Sequence, residues 1–242
     1  MARTAIQLYT LREVDSSLDD LLEMVAAAGF DAVEFAGRET KYEPDEVVDM
    51  LARNGLEVAG AHVGIEDLED DPDGLAERYE AMDCTNLICP GMDPRHFESQ
   101  EGVATAAGRL EVVADALEDT DCTLHYHTHT QEFQQIEGGL AFEGFLAATD
   151  VSIELDVGHT LRAGEDPADW LRRLEGRAEL VHFADVDVES DESVPLGEGD
   201  VDLAACAEAA AEIGADWYVY EYEGADPLTT IDDAAQKLMN LT

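Results

Sequence analysis

The sequence predicts an α/β protein in which eight parallel strands, each followed by a helix, close into a (β/α)8 TIM barrel. Short apolar strand patterns and longer helical patterns alternate eight times, with no break in composition between them. The length of 242 residues is typical of one such barrel, so we expect a single domain over residues 1–242. Six of the 7 histidines fall at the ends of predicted strands, where the active site of a barrel is built.

The predicted strands are short and rich in β-branched, aromatic or small apolar residues. In chain order they cover residues 5–9, 32–35, 57–62, 86–89, 123–127, 152–156, 180–183 and 217–221. Between them, apolar residues recur at intervals of three and four, as they do along the buried face of a helix. These helical patterns start near residues 18, 44, 103, 167, 203 and 230.

Glycine marks the point where several predicted helices end. The order helix, glycine, strand recurs at Gly29, Gly55 and Gly214, and glycine adopts the left-handed conformation that ends a helix. An open doubly wound sheet is the alternative architecture, but it usually carries a glycine-rich phosphate loop after its first strand. Here that turn reads Tyr9-Thr-Leu-Arg-Glu13, which favours the barrel. The acidic segment 67–73 is predicted to be a solvated loop.

The charge balance is extreme, with 57 acidic residues against 13 basic ones and a net charge of −44. Because the acids alternate with regular apolar periods, a disordered acidic chain is excluded, and we predict a halophilic protein whose self-repulsion is screened by salt. A surface this negative repels nucleic acid. No apolar run reaches the ~20 residues that cross a membrane, and the first residues do not form a signal peptide, so we expect a cytoplasmic protein.

Carboxylates and imidazoles follow most of the predicted strands. They are Glu34, His62, His127, His129, Glu132, Asp156, His159, His182 and Glu221. Because the carboxyl ends of barrel strands meet at one face, we expect these side chains to share a pocket, and buried carboxylates favour a cation at its centre. Asp156, His182 and Glu221 together carry this prediction, whereas Glu154, Asp185 and Asp187, taken singly, are equally well explained as ordinary strand or ion-pair residues.

Several phrases of the sequence, in order on successive strands, resemble the xylose isomerase-like TIM barrel family of sugar phosphate isomerases and epimerases. The similarity extends over essentially the whole chain, and the acidic composition suggests a halophilic, archaeal-type member. The phrases are Ile6-Gln-Leu-Tyr-Thr-Leu-Arg12, Gly29-Phe-Asp-Ala-Val-Glu-Phe35, Tyr126-His-Thr-His-Thr-Gln-Glu-Phe133, Leu155-Asp-Val-Gly-His159, Gly176-Arg-Ala-Glu-Leu-Val-His-Phe-Ala-Asp185, Leu196-Gly-Glu-Gly199 and Tyr218-Val-Tyr-Glu221.

The resemblance implies a divalent metal held by residues at the strand ends. Mn²⁺ or Mg²⁺ is favoured, with Co²⁺ or Zn²⁺ as alternatives. Many relatives place a glutamate on strand five, where this chain has histidines, so we assign His127 as a ligand and Glu132 as a catalytic carboxylate; the exchange of these two roles stays open. The implied ligands are His127, Asp156, His182 and Glu221, and the implied substrate-binding residues are Glu34, His62, His129 and His159.

The predicted activity is that of a metal-dependent isomerase or epimerase of carbohydrate metabolism, acting on a keto-sugar or sugar phosphate through an enediolate. Glu221 and Glu132 would remove and return the proton. One alternative is a metal-dependent lyase or dehydratase of a keto-sugar or polyol, and another is a non-catalytic sugar-binding barrel. An apurinic endonuclease is disfavoured by the net charge. We expect a small-molecule sugar as partner and leave quaternary structure open, with a homo-oligomer as one option.

Overall fold

Eight parallel strands close into a barrel in the computed structural model, which describes residues 2–242. Each strand pairs with the next along the chain, and the last pairs with the first, which confirms the predicted fold class. In chain order the strands are β1 (Arg3–Gln7), β2 (Ala32–Phe35), β3 (Glu57–His62), β4 (Asn86–Cys89), β5 (Thr123–His127), β6 (Ser152–Asp156), β7 (Leu180–Phe183) and β8 (Trp217–Tyr220).

The helices surround this barrel. They are α1 (Leu18–Ala28), α2 (Pro44–Asn54), α3 (Ile65–Asp70), α4 (Pro72–Glu80), α5 (Gln100–Leu117), α6 (Ala141–Ala148), α7 (Val157–Arg162), α8 (Pro167–Arg173), α9 (Leu203–Ile213) and α10 (Ile231–Leu241). Left-handed glycines end α1, α2 and α9, with φ of 102° at Gly29, 67° at Gly55 and 77° at Gly214, as the sequence predicts. In residues 2–242, no helix is both long and apolar enough to cross a membrane.

Two segments differ from their predicted structure. The predicted first strand, 5–9, is wrong at its carboxyl end: β1 stops at Gln7, whose side chain accepts the Tyr9 N–H and starts a 3-10 turn. Tyr9 therefore lies in the turn and is largely exposed. The predicted loop 67–73 is mostly helical, because Asp71 accepts the Gly74 N–H and Pro72 opens α4 in the position that proline prefers.

Two apolar clusters divide the interior. The larger one lies between the strands and the surrounding helices, and includes the thiols of the buried cysteines Cys84, Cys89, Cys122 and Cys206. The smaller cluster lies inside the barrel and consists of Ala5, Ala32, Ala59, Ile88, Leu180, Trp217 and Val219. Because side chains alternate along a strand, positions two residues beyond this apolar floor also point inward. On β1, β2 and β7 these positions are the polar residues Gln7, Glu34 and His182, and Glu221 follows Val219 in the same way. The floor thus supports a polar layer at the carboxyl ends of the strands.

Two short antiparallel hairpins extend the loops at that end. One pairs Gln135–Ile136 with Gly139–Leu140 after β5, and the other pairs Asp185–Asp187 with Glu192–Val194 after β7.

Candidate active site

The polar layer is built by neighbouring strands in register. Asp156 of β6 is paired with His182 of β7, and His182 is paired with Val219 of β8. Glu221 follows Val219 by two residues and therefore points the same way. β5 adds His127 beside them. Four predicted ligands thus come from consecutive strands and face the same end of the barrel.

The side chains of His127, Asp156, His182 and Glu221 converge. One donor atom from each of the four lies within 4.8 Å of the others, and all four residues are buried. His182 Nδ1 lies 2.8 Å from Glu221 Oε2, and His127 Nε2 lies 3.9 Å from the same oxygen. Asp156 Oδ2 is buried without a hydrogen-bond partner. Two imidazoles and two carboxylates, one of which has a buried oxygen without a hydrogen-bond partner, fit a divalent cation such as Mn²⁺ or Mg²⁺.

A second pair of carboxylates, Glu34 and Glu154, contacts the opposite edges of the same imidazoles. Glu154 Oε2 lies 3.1 Å from His127 Nδ1, without the alignment of a hydrogen bond, and 3.2 Å from His182 Nε2. Glu34 Oε2 lies 2.8 Å from His182 Nε2. The rings of His127 and His182 therefore separate these inner carboxylates from the outer carboxylates, Asp156 and Glu221.

His62 completes the inner group. Its Nε2 lies 3.0 Å from Glu154 Oε2 and 3.2 Å from Glu34 Oε2. Burial lowers the pKa of His62, but the two carboxylates outweigh it and raise that pKa to about 10. Burial likewise opposes a raised pKa at His182, which Glu154 and Glu34 nevertheless hold well above its ordinary value. Protonation of His62 and His182 therefore offsets part of the negative charge of the neighbouring Glu34 and Glu154.

The outer carboxylates differ in the direction of their pKa shifts. Burial raises the pKa of Glu221, but its hydrogen bond to His182 and the charge of that ring bring the pKa well below its ordinary value. Burial raises the pKa of Asp156 to about 6, against the opposing effect of His127. Glu221 is therefore ionised at neutral pH.

Glu132 lies apart from this cluster. Its carboxylate accepts a 2.5 Å hydrogen bond from Tyr126 Oη and a 2.9 Å hydrogen bond from the His129 N–H. Tyr126 points outward from β5 and packs in the larger core against Phe97 and Phe145. The 3-10 turn Gln131–Phe133 carries Glu132 to that side of the strand. The structure does not bring Glu132 into the group of candidate metal donors.

His129 and His159 form the rim of the site. Their ring centroids are 4.9 Å apart, and that of His129 is 4.8 Å from that of His127. Asp156 Oδ1 accepts the His159 N–H at 2.6 Å and so caps the start of α7, which follows β6 directly. A small cavity lies here, lined by Asp156, His159, Arg162, Ser193, Glu221 and Glu223. A larger groove opens on the other side of the site, along His62 and Tyr9.

The structure thus places Glu34 differently from the other predicted substrate-binding residues. Glu34 is fully buried among the inner carboxylates, whereas His62, His129 and His159 are partly exposed. Glu154 is the residue whose place in the site was not predicted. A signal existed, because Glu154 precedes Asp156 by two residues on β6 and must share its inward direction.

Comparisons with known proteins agree with the barrel. The model of the xylose isomerase-like TIM barrel family matches residues 22–241. An inosose dehydratase of Lacticaseibacillus casei is 29% identical over 153 residues, covering 54% of this chain and 50% of that protein. The chain thus spans about half the length of this curated relative.

Two solved structures resemble the chain in fold. A sugar phosphate isomerase/epimerase from Parabacteroides distasonis superposes with a TM-score of 0.84 at 19% identity, over 98% of this chain and 94% of that one. An L-ribulose 3-epimerase superposes with a TM-score of 0.77 at 17% identity, over 100% of this chain and 94% of that one. With the family model matching nearly all of its length, the chain belongs to the xylose isomerase-like TIM barrel family.

Proposed function

We propose that this chain is a divalent-metal-dependent isomerase or epimerase that removes a proton from the carbon next to the carbonyl of a keto-sugar. The observation that carries the proposal is the convergence of His127, Asp156, His182 and Glu221, with Asp156 Oδ2 buried and unpartnered. Such an arrangement is costly unless a cation and a substrate oxygen complete it. The similarity to an inosose dehydratase and to an L-ribulose 3-epimerase supports chemistry on a polyhydroxylated carbonyl compound.

The residues divide the reaction between them. A divalent cation bound by the four side chains would polarise the substrate carbonyl and so acidify the neighbouring C–H. Glu221, which is ionised and lines the small cavity, is placed to accept that proton. His129 and His159 at the rim are placed to bind and orient hydroxyl groups. The buried surroundings exclude water and strengthen these electrostatic contacts.

A metal-dependent dehydratase is the second candidate, and the similarity to inosose dehydratases favours it. Elimination of water needs the same proton abstraction, followed by departure of a hydroxyl group instead of return of the proton. The two candidates differ in their products. An isomerase or epimerase conserves the mass of the substrate apart from exchanged hydrogen, whereas a dehydratase loses one water.

The test is deuterium exchange in D₂O. The chain is stripped with a chelator, reloaded with Mn²⁺, Mg²⁺ or Co²⁺, and incubated with a panel of ketoses, inososes and their phosphate esters. NMR and mass spectrometry then locate the exchanged carbon and identify the product. We expect exchange at one carbon next to the carbonyl that depends on the added cation. Undiminished exchange after exhaustive chelation would overturn the proposal.

Asp156→Asn provides the matched test of the ligand set. The asparagine oxygen can still accept the His159 N–H and cap α7, so the barrel should fold, while the lost charge should weaken metal binding by at least about 100-fold and abolish exchange. Asp166→Asn is the control, because Asp166 caps α8 in the same way through the Asp169 N–H but is exposed. Calorimetric titration with Mn²⁺ measures both variants. If Asp156→Asn retains wild-type affinity and exchange, the assigned site is wrong.

A further inference from the structure

The loop after β7 wraps around a carboxylate of its own chain. Asp185 Oδ1 accepts the N–H groups of Val186 at 2.9 Å and Val201 at 3.1 Å. Asp185 Oδ2 accepts those of Gly197 at 2.7 Å and Gly199 at 3.0 Å. Asp185 is 2% exposed and lines the small cavity together with Asp156 and Glu221. This nest of backbone amides therefore lies directly beside the candidate metal site.

Converging backbone N–H groups are an anion-binding device, and the loops after strands seven and eight are where barrels frequently hold a substrate phosphate. In this chain the anion is already supplied by Asp185. The fit is tight, since a Cβ added to Gly199 would lie 2.4 Å from Asp185 Oδ1. The phrase Leu196-Gly-Glu-Gly199 thus serves to close the loop on this carboxylate. The N-terminus of α9 is taken as well, because Asp202 accepts the Ala205 N–H.

The arginines near this face also have partners within the chain. Arg38 donates to the backbone carbonyl oxygens of Ser16, Leu11, Arg12 and Val14. Arg162 Nε lies 2.9 Å from Asp191 Oδ1, without the alignment of a hydrogen bond. Arg12 donates to the carbonyl oxygens of Tyr9 and Glu223 and stacks on the Tyr9 ring. Arg12 and Arg38 are thus held by backbone carbonyl oxygens, whereas Arg162 lines the small cavity opposite two carboxylates, Glu221 and Glu223.

The groove on the other side of the site is also lined by acidic residues and by an arginine that is bonded to backbone carbonyl oxygens. It is lined by Asp67, Asp70 and Asp71, and its arginine, Arg78, donates to the carbonyl oxygens of Glu39 and Tyr42. In concentrated salt the screening length falls to about 3 Å, so the net charge of the surface has little effect on ligand choice and direct contacts decide it. The direct contacts on both sides of the site favour neutral hydroxyl groups.

We infer that the site takes an uncharged polyhydroxylated ketone and discriminates against its phosphate ester, because the amide nest that would receive the phosphate is filled by Asp185. This inference rests on the proposed enolising function and specifies its substrate class. A phosphate entering the site would lose its hydration without gaining the four amide donors that Asp185 occupies, which is costly for a dianion.

The first experiment compares matched substrates. Two pairs of substrates are incubated with the Mn²⁺-loaded enzyme in D₂O: D-ribulose with D-ribulose 5-phosphate, and D-fructose with D-fructose 6-phosphate. The KCl concentration is in the molar range and is the same in every reaction. We expect kcat/KM for exchange to be at least about tenfold higher for the neutral member of a pair that reacts. Equal or faster exchange of the ester overturns the inference, and loss of that preference in Arg12→Ala would then identify Arg12 as the phosphate ligand.

The second experiment needs no turnover, so it separates this inference from the proposed function. Calorimetric titration of the metal-free chain with inorganic phosphate should show no saturable binding. Asp185→Ala should bind phosphate, since four amide donors are released. Asp187→Ala is the control: it removes a carboxylate from the same hairpin that accepts only the Glu189 and Ser190 N–H groups, and should not gain binding.

The outcomes are distinct. Saturable phosphate binding to the wild-type chain overturns the inference whether or not any ketose exchanges, and so does a folded Asp185→Ala variant that gains no binding. If Asp185→Ala fails to fold, the comparison of neutral and phosphorylated ketoses and the wild-type titration still decide. If no ketose of any kind exchanges, the proposed function has failed. The phosphate titrations alone then test whether Asp185 occupies the amides that would otherwise bind phosphate.

Discussion

Glu154 is the residue with the widest influence on the candidate site. A single carboxylate oxygen lies within 3.2 Å of three imidazole nitrogens, those of His62, His127 and His182. A carboxylate on the far edge of a metal-binding imidazole fixes the tautomer and the orientation of the ring. Burial raises the pKa of Glu154, but His182, His127 and His62 bring it well below its ordinary value, so the residue is ionised. We therefore assign it to positioning the ligands.

The corresponding prediction concerns Glu154→Gln. The amide keeps the shape of the side chain but removes the charge that orients His127 and His182, so Mn²⁺ affinity should fall by about 10- to 100-fold. Calorimetry measures the affinity, and thermal unfolding of the metal-free variant checks that the barrel remains folded. Glu39→Gln is the control, because Glu39 is an equally buried glutamate that binds Tyr79 Oη away from the cluster. Unchanged affinity in Glu154→Gln would remove the positioning role.

At the residue scale, the sequence predicted which side chains converge but not how they are layered. Asp156, His182 and Glu221 were identifiable because each lies within one residue of the carboxyl end of a strand, and these ends meet at one face of a barrel. The inner position of Glu34 was not identifiable, because it depends on the register between strands and on the bulge between Val33 and Glu34. Such offsets arise from the packing of the closed ring and have no local sequence signal.

At the scale of elements, Glu132 joins β5 to the turn that follows it. Its carboxylate accepts the Tyr126 hydroxyl from the strand and the His129 N–H from the turn. Burial raises the pKa of Glu132 to about 7. The folded state thus favours the protonated acid, so its contribution to stability is present below the unfolded pKa and is lost as pH rises through 7.

Glu132→Gln should therefore stabilise the protein at alkaline pH. The amide mimics the protonated acid, so the gain over wild type should be near zero at about pH 4 and reach at most about 3 kcal/mol above pH 8. Urea unfolding at both pH values measures it, and Glu137→Gln, an exposed position in the next hairpin, should show no such gain. Metal affinity and exchange are measured in parallel. Lost exchange with metal retained would establish the catalytic role predicted from the sequence; retained exchange would leave a structural one.

The elements themselves were predictable to different degrees. Helices ended by glycine were found because a left-handed residue has a clear sequence signal, as at Gly29 and Gly214. Side-chain caps were predicted unevenly: the capped starts of α1, α8 and α9 were found, whereas those at Asp71 before α4 and Asp156 before α7 were missed. In the sequence, an aspartate in an acidic segment also fits a solvated loop, and one at a strand end also fits a metal ligand. Only its contact with a backbone N–H in the structure identifies it as a helix cap.

At the scale of the whole molecule, charge dominates. Even if each of the 13 basic residues formed an ion pair with one acidic residue, the remaining acidic residues would still carry the net charge of −44. Exposed pairs such as Arg53–Asp19 and Arg173–Glu143 contribute little in any case. Dissolved ions weaken the repulsion between surface carboxylates, because they screen it over about 3 Å at 1 M salt.

Stability should consequently rise with salt, which is the basis of the halophilic interpretation. We expect the melting temperature to increase by several degrees between about 0.1 and 2 M KCl, since unfolding separates the carboxylates that the native surface holds together. Differential scanning calorimetry measures the change. Sucrose at matched osmolality controls for general exclusion from the protein surface. A melting temperature that is flat or falls over this range of KCl would contradict a halophilic origin.

The four buried cysteine thiols can report local unfolding of the protein, because they react only when the structure around them opens. Burial raises the pKa of Cys84, Cys89, Cys122 and Cys206, and alkylating reagents need an exposed thiolate. Three of the four lie beside β4 and β5, while Cys206 lies on α9, next to the loop that encloses Asp185. Labelling of Cys206 alone therefore records an opening near that loop, and labelling of the other three records an opening around β4 and β5. The native cysteines thus serve as probes of local unfolding in two separate regions, without any engineered cysteine.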